Sequence, residues 1–234
     1  CHIANMIASE TGAGPKVCYY FEDTGVEIFE WLEGYRTVTY GDVYYEDVLK
    51  QIAENIAKFH NIPGKTMPLT QSVFEQAWDM IDRAKKGNYL PPWHDKMEYL
   101  LKTIGAAFQK HGMELKPCHN DFWTNNMMLN EETGDLKIID YEYASMNDPY
   151  YDLGLFSTTN YLTEAMDVEL CKAYHGGVMD EIGFAKMRLY KIVADIKWGY
   201  WALQQAINSD VDFDYYNWYG IKMARLQYLW QDPR

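Results

Sequence analysis

Two short apolar runs around a turn constrain this chain more than any other feature. Met127-Met128-Leu129 is followed by Glu131-Glu132-Thr133-Gly134-Asp135 and then by Leu136 to Ile139. Two short runs of this kind flanking a glycine-containing turn predict a β-hairpin. A hairpin sets its outer ends side by side. Asp121 and Asn126 lie just before the first run, Asp140 ends the second, and Glu142 follows two residues later. One acid, one amide and a second acid are therefore expected at a single mouth.

That set of groups suits a particular chemistry. Hard divalent cations take carboxylate and amide oxygens. Phosphoryl transfer asks little else of a protein: an acid to orient a hydroxyl and accept its proton, and metal-bound oxygens to neutralise the phosphates. The spacing His119-x-Asp121-x-x-x-x-Asn126, followed by an apolar strand ending in Asp140, is the arrangement of a kinase catalytic loop and metal-binding acid. Asn120 stands where protein kinases carry arginine, and Asp140-Tyr141-Glu142 replaces D-F-G. Both differences point toward kinases of small molecules. His119 is expected to be a hydrogen-bonded structural residue rather than a base.

With these residues in view, the stretch from His119 to Leu153 resembles the choline/ethanolamine kinase family. Its ending, Met146-Asn147-Asp148-Pro149-Tyr150-Tyr151-Asp152-Leu153, is most similar to the bacterial LicA-type choline kinases. Aminoglycoside phosphotransferases are the wider relatives. The resemblance implies an α+β, protein-kinase-like fold with a mostly helical C-terminal lobe and small β-hairpins. It implies ATP and Mg²⁺ as cofactors, with Asp121 catalytic and with Asn126 and Asp140 holding metal. Glu142 would help hold a second ion or face the positive charge of the substrate. Val26 to Gly34 resembles the family's hinge, where adenine would bond backbone groups near Glu30 and Leu32. Asp152 would brace the catalytic loop, although a plain helix N-cap is an equal reading of the residue itself.

A second constellation lies at Trp198-Gly199-Tyr200-Trp201. Tryptophans three apart on a helix share a face, and an aromatic cage is the usual receptor for quaternary ammonium. Taken alone, an aromatic stripe at helical spacing reads as core or cage. The resembled choline kinases carry a matching Trp-x-x-Trp on their penultimate long helix. By that likeness Trp198 and Trp201 would hold the substrate's ammonium, with Tyr216 or Trp218 as a third wall. One departure stands out: Ser157-Thr158-Thr159-Asn160 lacks the acidic residue that eukaryotic members place there against choline.

Composition narrows the partners. With 21 basic and 34 acidic residues the net charge is −13, which argues against nucleic acid or an anionic membrane surface and suits a small cationic substrate. No apolar run is long enough for a membrane-spanning helix, and no secretory signal opens the sequence. The four cysteines, Cys1, Cys18, Cys118 and Cys171, show no C-x-x-C spacing; reduced thiols in a cytoplasm are the simple expectation.

Along the chain, residues 1–11 predict a helix stopped at Gly12-Ala13-Gly14-Pro15, followed by a hairpin over 17–29. Further helices are expected over 42–59, 73–85 (capped by Ser72 with Glu75), 93–110, 152–161, from Thr163 to Gly176, 181–207 and 215–230. His60, His94 and His111 are expected at surface or helix-end positions. Residues 1–34 read as a remnant of an N-terminal lobe with the hinge, and 35–234 as the C-terminal lobe. A glycine-rich loop and phosphate-binding lysine are not found upstream of a strand, and the helix glutamate that would pair with that lysine falls near His2. This chain alone is therefore expected to transfer phosphate poorly. The rival expectations are a kinase for ethanolamine, an aminoglycoside or another amino alcohol, and a pseudokinase-like binding module.

Overall fold

The structure, a computed structural model, describes residues 1–68 and 71–231. The chain divides into two compact units, Cys1–Thr70 with Glu114–Lys186, and Gln71–Met113 with Met187–Arg234. The boundary between Lys186 and Met187 falls inside one long helix, Glu181–Asn208.

In the first unit, helix α1 (His2–Thr11) ends where Gly12 turns left-handed, at φ 72°. Strands β1 (Val17–Phe21) and β2 (Val26–Phe29) form the expected antiparallel hairpin, with a register shift between Val17 and Tyr19. Glu27 on β2 ties this hairpin to α1, accepting from Asn5 Nδ2 at 2.5 Å and meeting His2 Nδ1 at 2.6 Å. Helix α2 (Glu46–His60) buries Ile52, Ile56, Phe59 and His60 along one stripe. Its expected first turn, Asp42–Tyr44, is instead a separate 3-10 turn.

The constraining hairpin is present. Strands β5 (Met127–Asn130) and β6 (Leu136–Ile138) pair antiparallel, with Met127 opposite Ile138 and Leu129 opposite Leu136. Its sheet gains a third strand that periodicity did not announce, β3 (Tyr35–Thr37), paired to β5. On the other flank Ala13 accepts from Ile138 N at 2.7 Å. Here Gly14 is required for close approach: a Cβ would meet Ala8 Cβ at 2.8 Å and the Ile138 carbonyl at 3.0 Å. A second small ladder, β4 (Lys116–Cys118) with β7 (Ser145–Asn147), closes the segment around the loop. At three residues each, these strands are too short to show an alternating pattern in sequence.

Helix α5 (Pro149–Thr159) is buried on all sides and so carries no amphipathic signature. It opens at Pro149 with Asp148 as N-cap, bonding Tyr150 N at 3.1 Å. The N-cap reading of Asp152 is corrected accordingly: the proline at the first position moves the helix start three residues upstream. Helix α6 (Glu164–Tyr174) is capped by Thr163, and α7 (Glu181–Asn208) is continuous.

The second unit holds α3 (Val73–Gly87), α4 (His94–His111), the part of α7 from Met187 and α8 (Tyr215–Gln231). Ser72 and Glu75 form the anticipated capping box. Phe74, Phe108 and Tyr190 pack with ring centroids 4.5–6.0 Å apart. Met223 on α8 lies against Gly199, where a Cβ would come within 2.5 Å of its methyl carbon. No described helix is long and apolar enough to cross a membrane.

Candidate active site

The loop Cys118 to Asn126 enters from β4 and leaves into β5. Asn120 adopts a left-handed conformation, φ 64°, which asparagine tolerates better than most residues. Its side chain repays the turn in bonds: Nδ2 donates to the Tyr143 carbonyl (3.0 Å) and to Ser145 Oγ (2.9 Å), and Oδ1 accepts from Asn147 Nδ2 (2.8 Å). Thus the residue replacing the kinase arginine knits the loop to β7.

Below the loop sits Asp152, fully buried. Its carboxylate accepts the backbone N–H of His119 at 2.7 Å and of Asn120 at 2.8 Å, and His60 Nε2 lies 3.1 Å from the same group. A buried carboxylate is tolerated only when fully hydrogen-bonded, and bonds of this charge-assisted kind are each worth about 1.5–3 kcal/mol. Asp152 thus bonds two successive backbone amides of the loop. His60, expected at a surface or helix-end position, is the last residue of α2 and only 1% exposed, and it also meets Tyr174 through Nδ1 at 2.9 Å. Its place on the Ile52–Ile56 stripe was the available signal.

His60, Cys118 and Asp152 bring three metal-type ligand atoms within 4.8 Å of one another. Each is already used. Cys118 Sγ donates to the Asn147 carbonyl at 3.3 Å, and burial pushes that thiol's pKa well up. Protonated sulfur and an occupied carboxylate make a hydrogen-bonded brace, not a cation site.

His119 Nε2 lies 2.9 Å from the Ile139 carbonyl, and its Nδ1 accepts Asp121 N at 3.3 Å. This pairing fits the neutral tautomer with its hydrogen on Nε2 and ties the catalytic-loop segment to the end of β6. Ile139 N in turn donates to the Asn126 carbonyl at 2.9 Å, so the two outer ends of the hairpin are bonded to each other. Asn126 Nδ2 donates to the Asp121 carbonyl at 2.9 Å and to its carboxylate at 3.3 Å. With the nitrogen engaged, the Oδ1 end of that amide remains as an acceptor.

Asp140 is exposed and, like Asn120, left-handed at φ 66°. A small cavity of about 40 Å³ beside it is lined by Asn5, Ala8, Pro15, Phe29, Ile139 and Tyr141. The phenol of Tyr143 reports on the surrounding field. Its pKa is raised, first by burial and then by the charges of Asp121, Glu142 and Asp140. Oxygen donors alone, with no nitrogen or sulfur, match what Mg²⁺ accepts.

The remaining sites lie as follows. Glu30 accepts from Lys16 N at 2.7 Å and its own N–H bonds the Lys16 carbonyl, which closes the β1–β2 hairpin; Leu32 follows in the loop to β3. In the second unit Trp198 and Trp201 pack edge to face at 5.5 Å. Trp201 meets Tyr215, not Tyr216, at 5.8 Å; Tyr216 is 63% exposed. The helix α8 begins at Tyr215, which sets that register. Trp218 lies against Phe213. Lysine cations stand over both outer tryptophans, Lys197 Nζ 4.5 Å from the Trp198 ring and Lys222 Nζ 4.4 Å from Trp218.

Comparison with known proteins agrees with this architecture. The model of the choline/ethanolamine kinase family matches residues 2–166. A probable ethanolamine kinase of Arabidopsis thaliana is 26% identical over 94% of this chain and 65% of its own length. A solved choline/ethanolamine kinase family protein from Mesorhizobium loti superposes with a TM-score of 0.89 at 25% identity, over 99% of this chain and 78% of that one. LicA solved in complex with AMP shares the fold at a TM-score of 0.73 and 19% identity, over 95% of this chain and 76% of that one. The chain thus spans about two-thirds of the length of its curated relative. A kinase-type loop, an oxygen-only set of acids and this match over most of the sequence lead to one assignment: the chain belongs to the choline/ethanolamine kinase family.

Proposed function

We propose that the protein transfers the γ-phosphoryl group of ATP to the hydroxyl of choline. The observation that carries this reading is the bonding of Asn126 to Asp121 at one end of the hairpin, while the Ile139 N–H, next to Asp140 at the other end, donates to the Asn126 carbonyl. Asp121 orients the alcohol and takes up its proton as the oxygen–phosphorus bond forms and the bond to the departing diphosphate breaks. Asn126 and Asp140, with Glu142 beside them, are the oxygen donors that would hold Mg²⁺. When bound, that ion neutralises phosphate charge. Asp152 and His119 keep the loop in register and touch no substrate. Adenine is read at the hinge near Glu30 and Leu32, with residues 1–34 as the close of an N-terminal lobe. Trp198 and Trp201 supply the faces for a quaternary ammonium. Use of ATP accords with a cytoplasmic enzyme.

The test is ATP-dependent phosphorylation of choline. Asp121→Ala is expected to lower kcat by about 10²–10⁴-fold with modest change in binding, because the role lies in the transition state. Trp198→Ala is expected chiefly to raise the choline KM. Wild-type behaviour in both variants sinks the assignment. Calorimetry with choline and with MgATP separately distinguishes an enzyme from a module that only binds.

A second reading, ethanolamine as acceptor, is favoured by one observation: a primary ammonium, that of Lys197, already stands over Trp198. Side-by-side competition of the two alcohols decides between them.

A further inference from the structure

The brace under the loop does not end at Asp152. His60 meets Asp152 through Nε2 and Tyr174 through Nδ1, at 3.1 and 2.9 Å. An ionised carboxylate only accepts, so His60 Nε2 must carry a hydrogen. In the neutral ring Nδ1 is then an acceptor and needs a donor. That donor is the Tyr174 hydroxyl, at the last residue of α6. Burial raises the Tyr174 pKa strongly, which keeps the hydroxyl protonated and able to donate. His60 and Tyr174 are 1% and 6% exposed, and their rings meet edge to face at 5.6 Å. Water is therefore poorly placed to substitute for the tyrosine oxygen.

We propose that Tyr174 is a positioning residue for the catalytic loop: its hydroxyl orients the His60 ring, the ring holds the Asp152 carboxylate, and that carboxylate fixes the N–H groups of His119 and Asn120 next to Asp121. Tyr174 touches neither substrate nor nucleotide in this scheme. The claim concerns the loop's geometry and stands apart from the reading of the acceptor alcohol, so its test uses no turnover.

The chain is examined by NMR with ¹⁵N labelling, as wild type, Tyr174→Phe, His60→Met and the double variant. In the wild type His60 should show the neutral Nε2–H pattern, with Nδ1 shifted as a hydrogen-bond acceptor. Tyr174→Phe keeps the ring and removes the donor. It is expected to speed hydrogen exchange at the His119 and Asn120 amides by about tenfold, the scale of one lost buried bond. Amides within α6 should change far less. In the double variant, Tyr174→Phe should add nothing to the effect of His60→Met, because the tyrosine acts through the histidine. Equal acceleration throughout α5 and α6, unchanged exchange at His119 and Asn120, or additive effects would overturn the proposal. A native His60 carrying its hydrogen on Nδ1 alone would do so without any variant, and that measurement serves even where a substitution prevents folding.

Discussion

Asn126 donates one side-chain nitrogen to two oxygens of Asp121, the main-chain carbonyl at 2.9 Å and the carboxylate at 3.3 Å. The amide therefore sets the position of the acid as well as offering its own oxygen. Replacing Asn126 by alanine should remove both contributions. MgATP affinity is expected to fall by about 10–100-fold, the range seen when a group ordering a metal site is lost. Calorimetric titration of MgATP checks this, and an unchanged affinity would deny the residue a part in the metal site.

The Tyr143 phenol is a natural probe of whether the acids converge. Its pKa is raised by burial first, then by Asp121, Glu142 and Asp140. Each of Asp121→Asn, Glu142→Gln and Asp140→Asn should bring the titration down, as should a bound divalent cation. Tyrosine ¹³Cζ shifts followed against pH read the effect. Insensitivity to all three substitutions would separate the acids from one another.

Asp152 offers a prediction about stability. Asp152→Asn keeps the shape but removes the charge that the His119 and Asn120 amides and His60 address. A loss of about 2–3 kcal/mol is expected, since bonds to a charged group are worth more than neutral ones. Urea denaturation should show a lower midpoint at an unchanged slope.

Acid sensitivity has a defined contributor in the Arg36–Asp42 pair. Arg36 bonds both Asp42 oxygens at 2.7 and 2.9 Å, and the Asp42 pKa is strongly lowered, first by that guanidinium. A carboxyl whose folded pKa lies below its unfolded one stabilises the fold above the unfolded value, and that stability is lost as pH falls. Asp42→Asn should therefore cost about 1 kcal/mol at pH 7, Arg36 being partly exposed. The gap to wild type should begin to narrow as pH drops below about 4, the unfolded value, and close only as pH falls through the lower folded value. Chemical denaturation at the two pH values is the measurement, and a gap independent of pH would refute the attribution.

Much of the site was legible because hairpin logic is local. Met127–Leu129 and Leu136–Ile138 announce themselves by composition, and their outer ends follow by geometry. Residues that act through distant contacts left weaker traces. His60 and Asp152 are 92 positions apart, and nothing in spacing joins them. The β4–β7 ladder is set by tertiary packing, with too few residues to show a period. The N-cap reading of Asp152 missed because a proline at Pro149 starts the helix earlier. The ring beside Trp201, Tyr215, is a tertiary contact that helical spacing within α7 does not announce.

The left-handed turns at Asn120 and Asp140 bear on how this sequence can drift. For a residue with a Cβ such backbone costs about 1–2 kcal/mol, with asparagine and aspartate the best tolerated. Glycine would relax both turns, yet it would bring neither the amide that stitches the loop nor the oxygens beside Tyr143. Backbone strain and chemistry thus pull the same two codons in opposite directions, and the short polar side chains are where the two demands balance.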